Sequence, residues 1–158
     1  MAPVSTLPIR VQKAESDELY NHVFIIRTQV FVDEEEIAQD DEYDGFDHLA
    51  NHYLAWYGDT PAGTARWRRL NNGSFRLERF AVLPEFRLKN VGTSLMEAIL
   101  NELPKSFPIF VHAQTKNTEF YHKLGFETVG EPFDEANIEH IRMEYREEAN
   151  QPPAPAAD

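Results

Sequence analysis

The chain contains no cysteine. Disulfides are therefore excluded, and so is an acyl-enzyme carried on a cysteine thiol. Long apolar runs are also missing: nothing approaches the roughly eighteen consecutive apolar residues of a membrane-spanning helix. The opening MAPVSTLPIR lacks the basic-then-apolar layout of a secretory leader. Both absences lead us to expect a cytoplasmic protein with no membrane partner. Basic residues are scarce, 15 Lys and Arg against 27 Asp and Glu, giving a net charge of −12. That balance disfavours nucleic acid and anionic lipid, and it draws in cationic small molecules. Two nucleotide signatures are absent as well, the G-x-G-x-x-G turn and the G-x-x-x-x-G-K-[ST] loop, so dinucleotide and P-loop folds are not expected.

What is present suits a compact globular domain. A length of 158 residues with 42% apolar and 27% charged residues predicts one domain with a real core. We expect a short extension over residues 1–8, a single domain over residues 9–146, and a disordered Pro/Ala-rich tail over residues 147–158 ending QPPAPAAD.

The stretch Leu77–Leu100, LERFAVLPEFRLKNVGTSLMEAIL, organises the rest. It reads as a strand to Leu83, a break at Pro84, a basic turn, and then a helix. Proline cannot donate to a strand ladder, so the strand stops there. Val91, Leu95, Ala98, Ile99 and Leu103 recur at helical spacing and predict one buried face. The turn delivers a helix N-terminus, whose unpaired N–H groups and positive dipole end attract an anion. Arg87 and Lys89 add cations, and Gly92 allows close backbone approach. This combination suits a pyrophosphate.

Around it, Ile9–Lys13 reads as a first strand, and Ser16 as an N-cap. The following helix carries Leu19, Val23, Ile26 and Val30 on one stripe, which Phe24 and Phe31 widen. From Asp33 to Asp47, nine of fifteen residues are acidic, and the segment reads foremost as a solvated loop, with an amine-attracting rim as the sharper alternative. A calcium loop starting at Asp40 fails because its twelfth position is Asn51 and no second helix follows. His48 and His52 stand four apart, but His52–Tyr57 reads as strand, so they are not expected to share a metal. No metal ligand set is expected. Asn72-Gly73 is a strong hairpin signal. Ile109–Val111 is a buried strand, expected to partner Phe80–Val82. A short helix spans Asn117–Leu124, closed by Gly125 at C′. Phe126–Val129 and His140–Tyr145 are expected to pair across an acidic loop.

Two segments resemble the signatures of the GNAT superfamily of acyl-CoA-dependent N-acetyltransferases. One is Arg87-Leu88-Lys89-Asn90-Val91-Gly92 after Ala81-Val82-Leu83-Pro84, similar to [RQ]-x-x-G-x-[GA] after a strand corner. The other is Asn117–Phe126, NTEFYHKLGF, similar to an Asn followed by F-Y-x-x-x-G-F. The resemblance implies an α/β (α+β) fold with a mixed, mostly antiparallel central sheet of about seven strands flanked by helices. It implies acetyl-CoA as donor and the primary amine of a small molecule, such as an amino sugar or polyamine, as acceptor. Phe80, Ala81, Val82, Arg87, Leu88, Lys89, Asn90, Val91, Gly92, Thr93, Asn117 and Tyr121 are the implied cofactor contacts, with Val82 offering an oxyanion donor, Asn117 bonding the pantetheine arm and Tyr121 serving the departing thiolate. Asn90 departs from the family glycine, and asparagine is the side chain best suited to a left-handed turn.

Glu78, at the start of the cofactor-facing strand, is the candidate general base; its structural alternative is pairing with Arg76, Arg79 or Arg66. His112 is a second candidate, against the reading of a satisfied structural histidine. No nucleophile is placed for a covalent intermediate, so direct transfer in a ternary complex is expected. A noncatalytic acyl-CoA-binding regulator and an interaction protein using the acidic loop are the rival functions. A homodimer is left open by the sequence.

Overall fold

The computed structural model describes residues 6–146, so the tail expected over residues 147–158 lies outside the described residues. Seven strands alternate with helices: β1 (Ile9–Lys13), α1 (Asp17–Arg27), a π-helical continuation (Thr28–Glu34), α2 (Gln39–Glu42), β2 (Asn51–Tyr57), β3 (Thr60–Arg69), β4 (Phe75–Val82), α3 (Val91–Glu102), β5 (Ile109–Gln114), α4 (Thr118–Lys123), β6 (Phe126–Glu135) and β7 (Ile138–Tyr145). The strands form one sheet in the order β1-β2-β3-β4-β5-β7-β6. The β1–β2, β2–β3, β5–β7 and β6–β7 ladders are antiparallel, and β4–β5 is parallel. This is the mixed, mostly antiparallel sheet expected from sequence.

The chain divides into two compact units, one comprising the residues up to Trp67 with Arg79–Glu102, the other Arg68–Glu78 with the residues from Leu103 on. In the first, Ser16 caps α1 by accepting the Leu19 amide at 3.1 Å. Val23, Ile26, Val30 and Phe31 pack with Leu54 and Ala81 in one core cluster. Phe24 does not join it: 42% exposed, it stacks on Tyr43 at 5.1 Å. Its position lies off the stripe that faces the sheet. Helix α3 buries Val91, Leu95, Met96, Ile99 and Leu100. Full burial of each such side chain is worth about 1.5–3 kcal/mol. Its first turns sit close against β3 because Gly63 has no side chain there.

In the second unit, β5 pairs with the start of β4 and not with Phe80–Val82: the register is Phe75↔Ile109 and Arg76↔Phe110. The Phe75 amide also donates to Pro108 O at 2.8 Å, extending that contact backwards. Matching one apolar run to another gives no register, because buried parallel strands are apolar on both faces. The closing pair differs too. The expected acidic loop is itself ladder, and β6 and β7 meet at Ala136-Asn137, both left-handed (φ 52° and 62°). Two left-handed residues define the type I′ turn that matches strand twist. Gly125, at φ 97°, closes α4 as expected.

Candidate functional site

After β4 the backbone makes a 3₁₀ turn at Pro84–Phe86 and enters α3 at Val91. Two residues of the connection are left-handed, Leu88 at φ 62° and Asn90 at φ 69°. Asn90 thus adopts the conformation for which the family pattern uses glycine, and the turn is intact. Leu88, fully exposed, is a bulky side chain in a region such residues avoid. The first bond back into this turn is Ser94 N to Asn90 O at 2.9 Å. Among the described residues, none accepts a hydrogen bond from the amides of Val91, Gly92 or Thr93. These are the orphan donors of a helix start.

The two cations of the turn differ. Lys89 holds its ammonium 5.8 Å from the Tyr57 ring centroid. Arg87 is engaged by Glu34 through two bonds of 2.6 and 2.7 Å, and its Nε donates to Val82 O at 3.0 Å. Glu34 stands at the end of the π-helical segment, 53 residues away in sequence, a partner that local reading could not supply. On β4, Ala81 is buried and Phe80 and Val82 are half-buried. The strand is bent at Arg79, whose φ of 60° breaks the extended run.

In the second unit, Asn117 and Tyr121 occupy consecutive turns of backbone around α4. Asn117 is the N-cap residue, yet its side chain makes no capping bond. The Tyr121 ring packs edge-on against Phe120 at 5.0 Å and Phe126 at 6.0 Å. Glu78 is buried and both carboxylate oxygens are taken: Arg68 Nε lies 2.8 Å from Oε2 and Arg76 Nε 2.8 Å from Oε1. Pairing with Arg76 was one of the alternatives raised from sequence, and Arg68 is an addition. His112 lies on β5 with Nδ1 3.0 Å from Glu135 Oε2. Arg76 reaches the other oxygen of Glu135 at 3.1 Å.

The acidic segment is not simply solvated. Within the first unit, Glu42 is 2% exposed and Arg27 1%, joined at 2.5 Å. Arg79 Nε holds the second oxygen of Glu42 at 2.9 Å. The fully buried Arg66 bonds Asp44 at 2.7 Å and Asp47 at 2.6 Å, and Arg27 shares that Asp47 oxygen at 2.6 Å. Tyr20 donates its hydroxyl to the remaining Asp47 oxygen at 3.0 Å. His52, buried on β2, contacts Asp47 O at 2.9 Å, while His48 lies in the 3₁₀ turn Asp47–Leu49. Sequence reading missed this network because its partners are far apart in the chain. The available signal was a charge at an inward position: Arg27 follows the buried Ile26, and Arg66 interrupts the buried run of β3.

Burial pushes Glu42 above the usual carboxylate range despite Arg27 and Arg79. Burial acts the same way on Asp47, but hydrogen bonds and charge from Arg27, with Tyr20 and Arg66, overcome it and hold the group down to about 2. Tyr20 is pushed up to about 12, first by burial and then by Asp47. Asp47 has a folded value below its unfolded one, so its stabilisation is present above about pH 4 and disappears as pH falls towards 2. From 3.8 to about 2 corresponds to about 2 kcal/mol. Urea titrations between pH 6 and 2 are expected to show a shallower loss for Asp47→Asn than for wild type. An equally steep loss would remove Asp47 from the account.

Among the described residues, no group of three or more His, Cys, Asp or Glu is placed to hold a metal, and no helix is long and apolar enough to cross a membrane.

A parallel β4–β5 pair in a mostly antiparallel sheet, with a tight turn from β4 into a helix whose first amides have no partner among the described residues, is the architecture that the comparisons place among acyltransferases. The family profile described as Acetyltransferase (GNAT) domain matches residues 20–147. The chain belongs to the GNAT acetyltransferase family and is an acyltransferase enzyme. An uncharacterized N-acetyltransferase of Bacillus subtilis, YjcF, is 31% identical over 133 residues, covering 82% of this chain and 94% of that protein. An acyl-CoA N-acyltransferase from Pseudomonas aeruginosa superposes with a TM-score of 0.75 at 25% identity, over 89% of this chain and 100% of the other. A Bacillus subtilis acetyltransferase solved in complex with CoA shares the fold, with a TM-score of 0.63 at 18% identity over 87% of this chain and 98% of that one.

Proposed function

We propose that this enzyme moves an acetyl group from acetyl-CoA to a primary amine of a small molecule, directly and without an acyl-enzyme. The observation that carries the donor assignment is the set of open amides at Val91, Gly92 and Thr93 behind a left-handed Asn90. Main-chain donors at a helix mouth bind a diphosphate without demanding any particular side chain. Gly92 keeps the approach clear, and the Lys89 ammonium adds a mobile cation. Phe80, Ala81 and Val82 offer strand backbone for the pantetheine arm, and Asn117 is a separate candidate donor to it. The structure of a fold relative with CoA supports the same choice of donor. The net charge of −12 favours a cationic acceptor.

Amide formation needs a neutral amine. A lysine-like amine near pKa 10.4 costs roughly 4.6 kcal/mol to deprotonate at pH 7, so a base is required. The oxyanion that forms at the carbonyl is met by the Val82 amide. The departing thiolate is met by the Tyr121 hydroxyl. Full proton transfer from a phenol near pKa 10 to a thiolate near 8.5 is uphill by about 2 kcal/mol, so a hydrogen bond that strengthens as charge builds is the operative contribution.

The test is acetyl-CoA titration followed by thiol release against a panel of primary amines. Binding with amine-dependent release is the expected result; binding without release from any amine would make the protein a regulator. Tyr121→Phe is expected to lower kcat by about tenfold or more, equivalent to about 1.4 kcal/mol, while acetyl-CoA affinity changes little. A kcat within about threefold of wild type would remove the tyrosine from the mechanism.

A further inference from the structure

Only a few side chains near the β4–β5 pair have a lone pair to offer, and their partners sort them. Glu78 is closed by Arg68 and Arg76. Glu135, on β6, is closed by His112 and Arg76. Its carboxyl is held down to about 2, chiefly by the His112 bond and then by Arg76. Glu135 is therefore an ionised, acceptor-only group across the neutral range. A proton must then sit on His112 Nδ1 to make the 3.0 Å contact. In the neutral ring this leaves the lone pair on Nε2. Among the described residues no hydrogen bond engages Nε2, and the side chain keeps 21% exposure.

The ring is also fixed in place. Phe133 meets it edge-on at 4.9 Å, and Phe110 lies tilted at 5.6 Å. The charged groups around the pair are Arg76 from β4, Glu135 from β6, and from β7 Arg142, opposite His112 in register, with His140 stacked on the far side of Phe133. Arg142 is drawn away over Phe110 and to Glu144 at 3.0 Å. His112 stands two residues beyond the paired Phe110, towards the C-terminal ends of the parallel strands.

We propose that His112 is the catalytic base that takes the proton from the acceptor amine, with Glu135 as the residue that orients it. The inference rests on the acyl-transfer reading above and names the base for that reaction. The acceptor ammonium gives one proton to Nε2. Its nitrogen pair then forms the C–N bond at the thioester carbonyl, the C–S bond breaks, and the sulfur leaves with the bonding pair. The second nitrogen proton is lost as the thiolate gains one, and the imidazolium returns its proton to solvent. Glu135 stabilises the imidazolium stage without changing its own protonation.

Wild type, His112→Gln, Glu135→Gln and Glu135→Asp are compared as full chains. Nitrogen-detected imidazole spectra of wild type are expected to show protonated Nδ1 and bare Nε2 at neutral pH. Thiol release from acetyl-CoA with the best amine of the panel is followed between pH 6 and 10. At pH 7, His112→Gln should lower kcat/KM by about 100-fold or more. The deficit should narrow as pH approaches the amine's own pKa. Glu135→Gln should keep the tautomer yet reduce the plateau of the profile, and Glu135→Asp should recover part of it. An Nε2-protonated tautomer, or a His112→Gln profile that overlays wild type, overturns the base assignment alone. Wild type that binds acetyl-CoA and releases no thiol with any amine overturns the transfer reading and this assignment together.

Discussion

Arg27→Met is expected to lower the unfolding free energy by about 3–5 kcal/mol, because removing one partner of a buried pair strands the other charge. Arg27 and Glu42 are 1% and 2% exposed, so water cannot take over the lost contact. The guanidinium also donates to Glu42 O at 3.1 Å and to Asp47 at 2.6 Å. Those acceptors are left with fewer donors in a place where each unmade bond costs about 1–3 kcal/mol. Arg79 and Arg66 still face the carboxylates, which keeps the loss within the stated range. For a chain of this length, about 2–4 °C of melting temperature accompanies each kcal/mol. Thermal and urea unfolding check the magnitude, and a loss below about 1 kcal/mol would show the network contributing nothing net. Adding Glu42→Leu should cost less than the two single changes together, since the second removes the charge that the first stranded.

That network also marks the boundary of what could be read from the chain. Ser16, Asn72-Gly73, Gly125 and the α3 stripe were legible because their partners lie within a few residues. The left-handed turn at Asn90 was legible only through the resemblance, whose pattern places a glycine there; the second left-handed residue, Leu88, had no such signal. By contrast, Arg27 and Glu42 are 15 residues apart, and Arg79 and Glu42 are joined from different elements. Acidic residues at Asp33–Asp47 look solvated until the inward arginines are known. The β6–β7 hairpin was obscured because Ala136-Asn137 lacks the glycine that advertises a type I′ turn, while Gly130 and Pro132 suggest a break where the ladder only shifts register.

For the site, residue types were legible and their engagement was not. Arg87 was visible as a cation, but the bidentate grip of Glu34 was not. Exposed pairs of this kind are worth little in stability, so the matter is one of availability: Glu34 holds the guanidinium that a phosphate would otherwise meet. Glu78 and His112 were both visible as candidate bases. Their partners separate them, since two arginines occupy both oxygens of Glu78 whereas Glu135 engages one ring nitrogen of His112 and leaves the other.

Gly63→Ala is expected to weaken acetyl-CoA binding by about tenfold, equivalent to about 1.4 kcal/mol, and to cost a further 1–3 kcal/mol or so of stability. A Cβ at this position of β3 would lie 2.8 Å from Val91 Cγ1, 3.0 Å from Ala81 O and 3.3 Å from Leu95 Cδ1. The Leu95 side chain can turn, but the carbonyl of Ala81 belongs to β4 and cannot yield without moving the strand. Val91 is the first residue of α3 and is itself 1% exposed, so relief of the clash displaces the helix start. The amides of Val91, Gly92 and Thr93 would then lose their common aim, and a diphosphate bound by several donors at once is sensitive to shifts of a few tenths of an ångström. Ile99→Val, lower on the same helix, serves as the control: it should cost about 0.5–1.5 kcal/mol of stability and leave acetyl-CoA affinity unchanged. Equal loss of affinity in both variants would mean that binding follows general stability. Unchanged affinity in Gly63→Ala would mean that the mouth of α3 does not hold the donor.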